Sequence, residues 1–282
     1  MINFTSPSRM VPALAAGQLD VGSGSIGPGL FNGGDNSTCI KIVGPLARQE
    51  VDASNVFLFL RHELASNGSV RGYADLKGLH IGILTRDSTS EYTLVKMLGA
   101  GGLGLGDVHA VQMSYPTMLV ALANRSLDAA LLPESVATAA ADKNLGIKWK
   151  PVADVAPGAQ FGVVLFSPHF ANQRDTAVRW MSAYLQGARD YDAAFFHHVH
   201  RTKVVDALTK SSPMKDARMY DEMGYAVIDP NGVLNLDSVA DQVHWFVDAG
   251  KLHDAVDVSH VVDGSYVQAA VERLGPYEPS RV

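Results

Sequence analysis

Apolar residues in this chain fall into short continuous runs, and between the runs they recur every three or four positions. This is the alternation expected when buried strands take turns with amphipathic helices. Strand-length runs stand at VHAVQM (108–113), DAALL (128–132), VFLFL (56–60) and AQFGVVLF (159–166), and LHIGIL (79–84) leads through the polar turn RDSTS to a helix across EYTLVKML that ends at Gly99. Beyond Pro168 the pattern becomes mostly helical: residues 169–195, DALTK, DARMYDEM and LDSVADQVHWFVDAGKL all carry apolar residues at helical spacing. No run approaches the roughly eighteen apolar residues of a spanning helix.

The chain also resembles itself. At an offset of 108 residues, SPSRMVPALAAGQLDVGSG from Ser6 aligns with SYPTMLVALANRSLDAALL from Ser114, with identities that include Met10/Met118, Ala13/Ala121, Leu14/Leu122, Leu19/Leu127 and Asp20/Asp128. Each copy runs from an extended stretch (INF; VHAVQM) through Ser and Pro into a helix, then into a short strand opening on a polar turn. Strands alternating with helices imply a mostly parallel sheet covered on both faces, so two related α/β lobes are expected. The second copy is preceded by a further strand and helix that the first lacks, so lobe one is expected to be N-terminally incomplete. NVFLFLRHEL and AQFGVVLF are expected to cross between the lobes as a two-stranded hinge. The boundaries that follow are 1–61 with 165–282 for lobe one and 62–164 for lobe two.

Composition narrows the function classes. With 47% hydrophobic and 18% charged residues, 26 Gly and 13 Pro, the chain is globular and rich in turns. Lys and Arg number 23 against 29 Asp and Glu, a net charge of −6, and no basic stripe is present to grip a phosphate backbone; no nucleic-acid partner is expected. The single Cys39 can form no internal disulfide and reads as a small buried hydrophobe rather than a nucleophile. The start lacks the pattern of a leader, which leaves two readings open: a cytoplasmic protein, or one whose leader has been removed.

Several motifs fail on chemical grounds. Gly22, Gly24 and Gly27 match a dinucleotide fingerprint, but IKIVG ends in Gly44 and Pro45 where an acidic residue should grip the ribose, so a glycine turn is the better reading. Gly99, Gly101 and Gly104 follow a helix and read as its cap and loop. His197, His198 and His200 have no accompanying carboxylate or thiol signature and read as helix surface; no metal and no cofactor is expected. HEL at 62–64 lacks the second His of a zinc protease.

What remains is a set of polar turns after strands: GSGSIG, GPLARQE, TRDSTSEY, the Ser114–Tyr115–Pro116 turn and LPESV. In open α/β sheets ligands bind outside the carboxyl ends of the strands, where helix N-termini present N–H groups to anions. Arg48 and Arg86 are the guanidinium groups within these turns, and Glu134 would instead suit an amine or ring N–H.

ALAAGQLDVGSGS from Ala13, ADLKGLHIGI from Ala74, ALANRSLDAALLPES from Ala121, HWFVDAGKL and VVDGSYVQAAVERLG resemble, in order and spacing across nearly the whole chain, the substrate-binding proteins of ABC importers that serve nitrate, sulfonates, taurine and thiamine-pyrimidine precursors. The resemblance implies a two-lobed periplasmic-binding-protein fold with a small-molecule ligand at the hinge. It also implies a periplasmic monomer that delivers its solute to a membrane permease and its ATPase without chemistry. Carried over by position, it implies ligand contacts from Ser23, Ser25 and Gln49, from Ser88, Thr89, Ser90, Tyr115 and Glu134, and from Gln160 and Phe161. Two alternatives stand beside it: an enzyme on the same fold, of desulfinase, decarboxylase or pyrimidine-synthase type, and a ligand-sensing domain.

Overall fold

The computed structural model describes residues 4, 7–31, 40–253 and 256–278. The chain begins with α1 (Pro7–Ala15), β1 (Val21–Gly24) and β2 (Lys41–Pro45). It continues through β3 (Val56–Arg61), α2 (His62–Ser66), β4 (His80–Ile83), α3 (Thr89–Ala100), β5 (His109–Gln112), α4 (Tyr115–Ala123), β6 (Ala129–Pro133), α5 (Val136–Asp142) and β7 (Gly146–Pro151). Then come β8 (Val163–Phe166), α6 (Pro168–Ala171), α7 (Arg174–Phe196), α8 (Arg201–Ser211), α9 (Met219–Glu222), α10 (Leu236–Asp248) and α11 (Ser265–Leu274). Two compact units result, one of residues 1–48, 159–211 and 227–282, the other of residues 49–158 and 212–226.

The first unit is built on a sheet of order β1-β8-β2. Because side chains alternate across a strand, the four buried residues of β8 serve two cores at once. Val163 and Leu165 pack with Leu14, Ile42, Val243 and Phe246 under α1 and α10. Val164 and Phe166 pack with Met181, Leu185 and Tyr266 under α7 and α11. Phe166 meets the rings of Phe170, Trp180 and Tyr266 edge-on at 5.0, 5.5 and 5.1 Å. The long helical pattern breaks at Asn172 and Gln173 into α6, capped by Ser167 Oγ accepting from Phe170 N at 3.0 Å, and the 23-residue α7.

The second unit has a five-stranded sheet of order β5-β4-β6-β3-β7. The pairings of β4 with β5 and with β6 are parallel, and those of β3 with β6 and with β7 are antiparallel. Phe59, Met118, Leu122, Leu127, Ala130 and Leu132 form one core on this sheet.

Three expectations are corrected here. Both pairings in the first unit are antiparallel, so its sheet is not mostly parallel and that of the second is mixed. The two apolar runs are not a hinge: VFLFLR is β3, flanked by β6 and β7, and VVLF is β8, flanked by β1 and β2. A continuous apolar run is what a strand covered on both faces requires. With β3 in the second sheet, the crossing falls at Arg48/Gln49 rather than after Arg61, and the return at Gly158/Ala159. The second unit also gains residues 212–226, so the lobe boundaries 1–61, 62–164 and 165–282 shift accordingly.

The repeated helix-to-strand units are present as α1–β1 and α4–β6. Ser114 caps α4, accepting from Thr117 N at 3.4 Å; its counterpart Ser6, the extended stretch at residues 2–3 and Cys39 lie outside the described residues. Gly22 has a packing cause: a Cβ there would stand 2.8 Å from Met10 Sδ and 2.9 Å from Leu14 Cδ1, so α1 lies directly on β1.

Candidate functional site

Because β5, β4 and β6 are adjacent and run parallel, the helices that follow them, α4, α3 and α5, all begin at one edge of the second unit's sheet. The central start, that of α3, carries Ser88, Thr89 and Ser90. Ser88 is fully buried at the N-cap; its Oγ accepts from Ser90 N at 3.2 Å and donates to Thr85 O at 2.8 Å. Glu91 completes the cap from the third helical position, its Oε2 accepting from Asp87 N at 2.8 Å. Thr89 is buried and Ser90 half-buried. Hydroxyl groups on a helix start, where the helix dipole is positive, favour a bound oxyanion. The capping role of Ser88 is compatible with the ligand contacts expected of these residues.

Tyr115 stands at the start of α4, half-buried against the core around Met118. Burial pushes its phenol up to about 12, so at neutral pH the hydroxyl keeps its proton and can donate. Glu134 follows β6, with its side chain 3% exposed and answered from within the unit. Lys148 Nζ stands 2.7 Å from Oε1, Thr138 Oγ1 donates to Oε2 at 2.8 Å, and Lys148 Nζ donates to Thr138 Oγ1 at 2.6 Å. Glu134, expected to suit an amine or ring N–H, thus forms a triad with Lys148 and Thr138. Lys148 on β7 had no sequence signal, because the pairing depends on β7 being brought up by β3.

Gln49 and Gln160, expected to touch ligand, hold the chain where it leaves and re-enters the first unit. Gln49 is fully buried; its Oε1 accepts from Ser54 Oγ at 2.8 Å and Asn55 N at 3.2 Å, and its Nε2 donates to Asn55 Oδ1 at 2.5 Å. Gln160, also fully buried, donates from Nε2 to Gly162 O at 2.8 Å and Ala47 O at 3.1 Å, while its main chain is held by Ser238 and Gln242. Phe161 beside it is half-buried, its N–H bound to Ala47 O at 2.7 Å.

In the first unit Ser23 is exposed on β1 opposite Val164, and Ser25 is half-buried just past the strand. The guanidinium groups are turned to protein partners. Arg48 NH1 lies 3.3 Å from Asp229 Oδ2, whereas Arg86 pairs with Glu91 at 3.4 Å and donates to Ala110 O at 2.6 Å. The histidines are not on a helix surface: α7 ends at Phe196, and His198 and His200 take left-handed backbone in the following turn, with His197 Nε2 3.2 Å from Asp192 Oδ2. Among the described residues no group of three His, Cys, Asp or Glu is placed to hold a metal. No helix among them is long and apolar enough to cross a membrane.

Residues 3–193 match the NMT1/THI5-like family along most of the first two-thirds of the sequence. The chain belongs to the NMT1/THI5-like family. A Brucella abortus relative, whose name proposes it as a binding protein, is 33% identical over 128 residues, 45% of this chain and 35% of the relative. The matched stretch thus spans about a third of that protein's length. Among solved structures, the periplasmic nitrate-binding protein NrtA of Synechocystis superposes with a TM-score of 0.73 at 13% identity, covering 99% of this chain and 83% of that one. The periplasmic aliphatic sulphonate binding protein SsuA of Escherichia coli gives 0.67 at 18%, covering 100% and 82%. The desulfurization enzyme DSZB gives 0.56 at 15%, covering 90% and 85%. At these identities the likeness establishes fold: this NMT1/THI5-like chain has the two-lobed α/β fold of periplasmic binding proteins.

Proposed function

We propose that this NMT1/THI5-like chain binds one small anionic or zwitterionic solute, of sulfonate, nitrate, carboxylate or pyrimidine type, and delivers it to an ABC importer. It does so as a periplasmic monomer whose two units serve as the lobes. The observation that carries this reading is the row of three helix starts along β5-β4-β6, with the hydroxyls of Ser88, Thr89 and Ser90 on the central one. Ser23 and Ser25 offer similar chemistry from the first unit, and Tyr115 adds a neutral donor. Helix starts of this kind solvate an oxyanion without a full counter-charge, which accords with Arg48 and Arg86 being engaged elsewhere.

Binding without chemistry is supported by the higher superposition on nitrate- and sulphonate-binding proteins than on the desulfurization enzyme. Calorimetry against nitrate, alkanesulfonates, small carboxylates and pyrimidines is expected to give one-to-one binding by one class. Ser90→Asp, which sets a negative charge on the same helix start, is expected to abolish it. Silence across the panel from folded protein would refute the reading.

A further inference from the structure

A cavity of about 490 Å³ lies within the first unit between α7 and α8, lined by none of the hydroxyl-bearing turns. Its floor is α7, where Ala183, Gly187 and Ala188 present little side chain; its roof is the stripe Val204, Ala207 and Leu208 of α8. It opens to solvent past the exposed Ala183, Gly187 and Ala207, and a volume of several hundred Å³ with mostly apolar walls is the size and character of a small-molecule site.

Gly187 is the second observation. It sits in the interior of a 23-residue helix, where glycine costs about 0.5–1 kcal/mol relative to alanine. A Cβ at Gly187 would meet nothing within 4 Å, so neither packing nor backbone conformation calls for glycine there. Its effect is to keep the floor of the cavity open.

The polar groups at the cavity differ in availability. Tyr184 OH donates to Pro45 O at 2.6 Å, Asp190 Oδ1 accepts from Gln186 Nε2 at 2.9 Å, and Ser211 Oγ donates to Ala207 O at 2.7 Å. Lys203, exposed at the rim, makes no ion pair among the described residues, and His200, in the turn before α8, also lines the cavity. We infer that this cavity is a second binding site, for a small amphipathic molecule with a hydrocarbon or aromatic body and an anionic head group held by Lys203.

Titration of the full chain with octanoate, and with 8-anilinonaphthalene-1-sulfonate followed by fluorescence, tests this directly. One site is expected, with octanol and octylammonium binding less tightly than octanoate. Gly187→Leu fills the floor and is expected to weaken octanoate by about tenfold or more, while thermal melting confirms that the variant is folded. Lys203→Glu is expected to weaken octanoate but not octanol, and Ser90→Asp to leave both unchanged. Octanoate binding unaltered in folded Gly187→Leu, or no saturable binding by the wild-type chain, would overturn the inference.

Discussion

Glu134 and Lys148 illustrate how a residue's neighbours decide its role. The Glu134 side chain is 3% exposed and that of Lys148 25%, so removing the lysine strands the more deeply buried charge. Breaking a buried pair from one side is costly because the remaining charge has lost both water and partner. Lys148→Met is therefore expected to lower unfolding stability by about 3 kcal/mol, Glu134→Gln by less, and the double variant to recover part of the loss, as read by urea denaturation of all three. Tyr115 gives a pH signature. Its folded value is raised by burial to about 12 from an ordinary 10, so the neutral phenol belongs to the folded state. Its contribution is fully present below pH 10 and is lost as pH rises through 12. Stability is expected to fall across that window, and less steeply in Tyr115→Phe, measured by denaturant melts at stepped alkaline pH. Ser88, Thr89 and Ser90 were legible in the sequence because a cap is a local feature. Lys148 was not, because nothing within a few residues of it reports the carboxylate it meets.

At the scale of elements, periodicity was informative wherever an element's environment follows from its own sequence. The turn RDSTS and the run EYTLVKML anticipate α3, and Ser88→Ala is expected to cost about 1 kcal/mol of stability through loss of the N-cap, read by denaturant titration. The apolar runs were strands as expected, yet their place was misjudged: β3 and β8 are interior strands of two separate sheets. Covering on both faces is visible in a run of five apolar residues, but which strands do the covering is not. Glycines separate in the same way. A Cβ at Gly22 would meet the far ends of the Met10 and Leu14 side chains, whereas one at Gly101 would lie 2.4 Å from the Tyr73 carbonyl carbon, which is backbone. Gly101→Ala is expected to be the more destabilising of the two alanine variants, by about 1 kcal/mol or more in paired denaturation curves, because side-chain ends can move aside and main chain cannot.

For the whole molecule, solute binding has a thermodynamic consequence independent of which residues touch the ligand. A solute that binds only the folded chain stabilises it by about 2.7 kcal/mol at a hundredfold excess over its Kd. The correct class should therefore stand out in thermal melts as the one that raises Tm dose-dependently, and a panel with no such member would remove the binding reading. Order and spacing of ALAAGQLDVGSGS, ADLKGLHIGI and ALANRSLDAALLPES were sufficient to point to the family, since such motifs are linear. By itself the sequence determined the alternation of strands and helices, the two related helix-to-strand units and the hydroxyl-rich helix starts, all set by interactions among residues close in the chain. Only the tertiary structure decided that the crossing falls at Arg48/Gln49, that Gln49 and Gln160 spend their amides on the main chain and local side chains, that Arg48 and Arg86 are paired, and that α7 and α8 leave a cavity between them. Each of these depends on which distant segments pack together, and hydrophobic patterning specifies that a surface is buried without specifying against what.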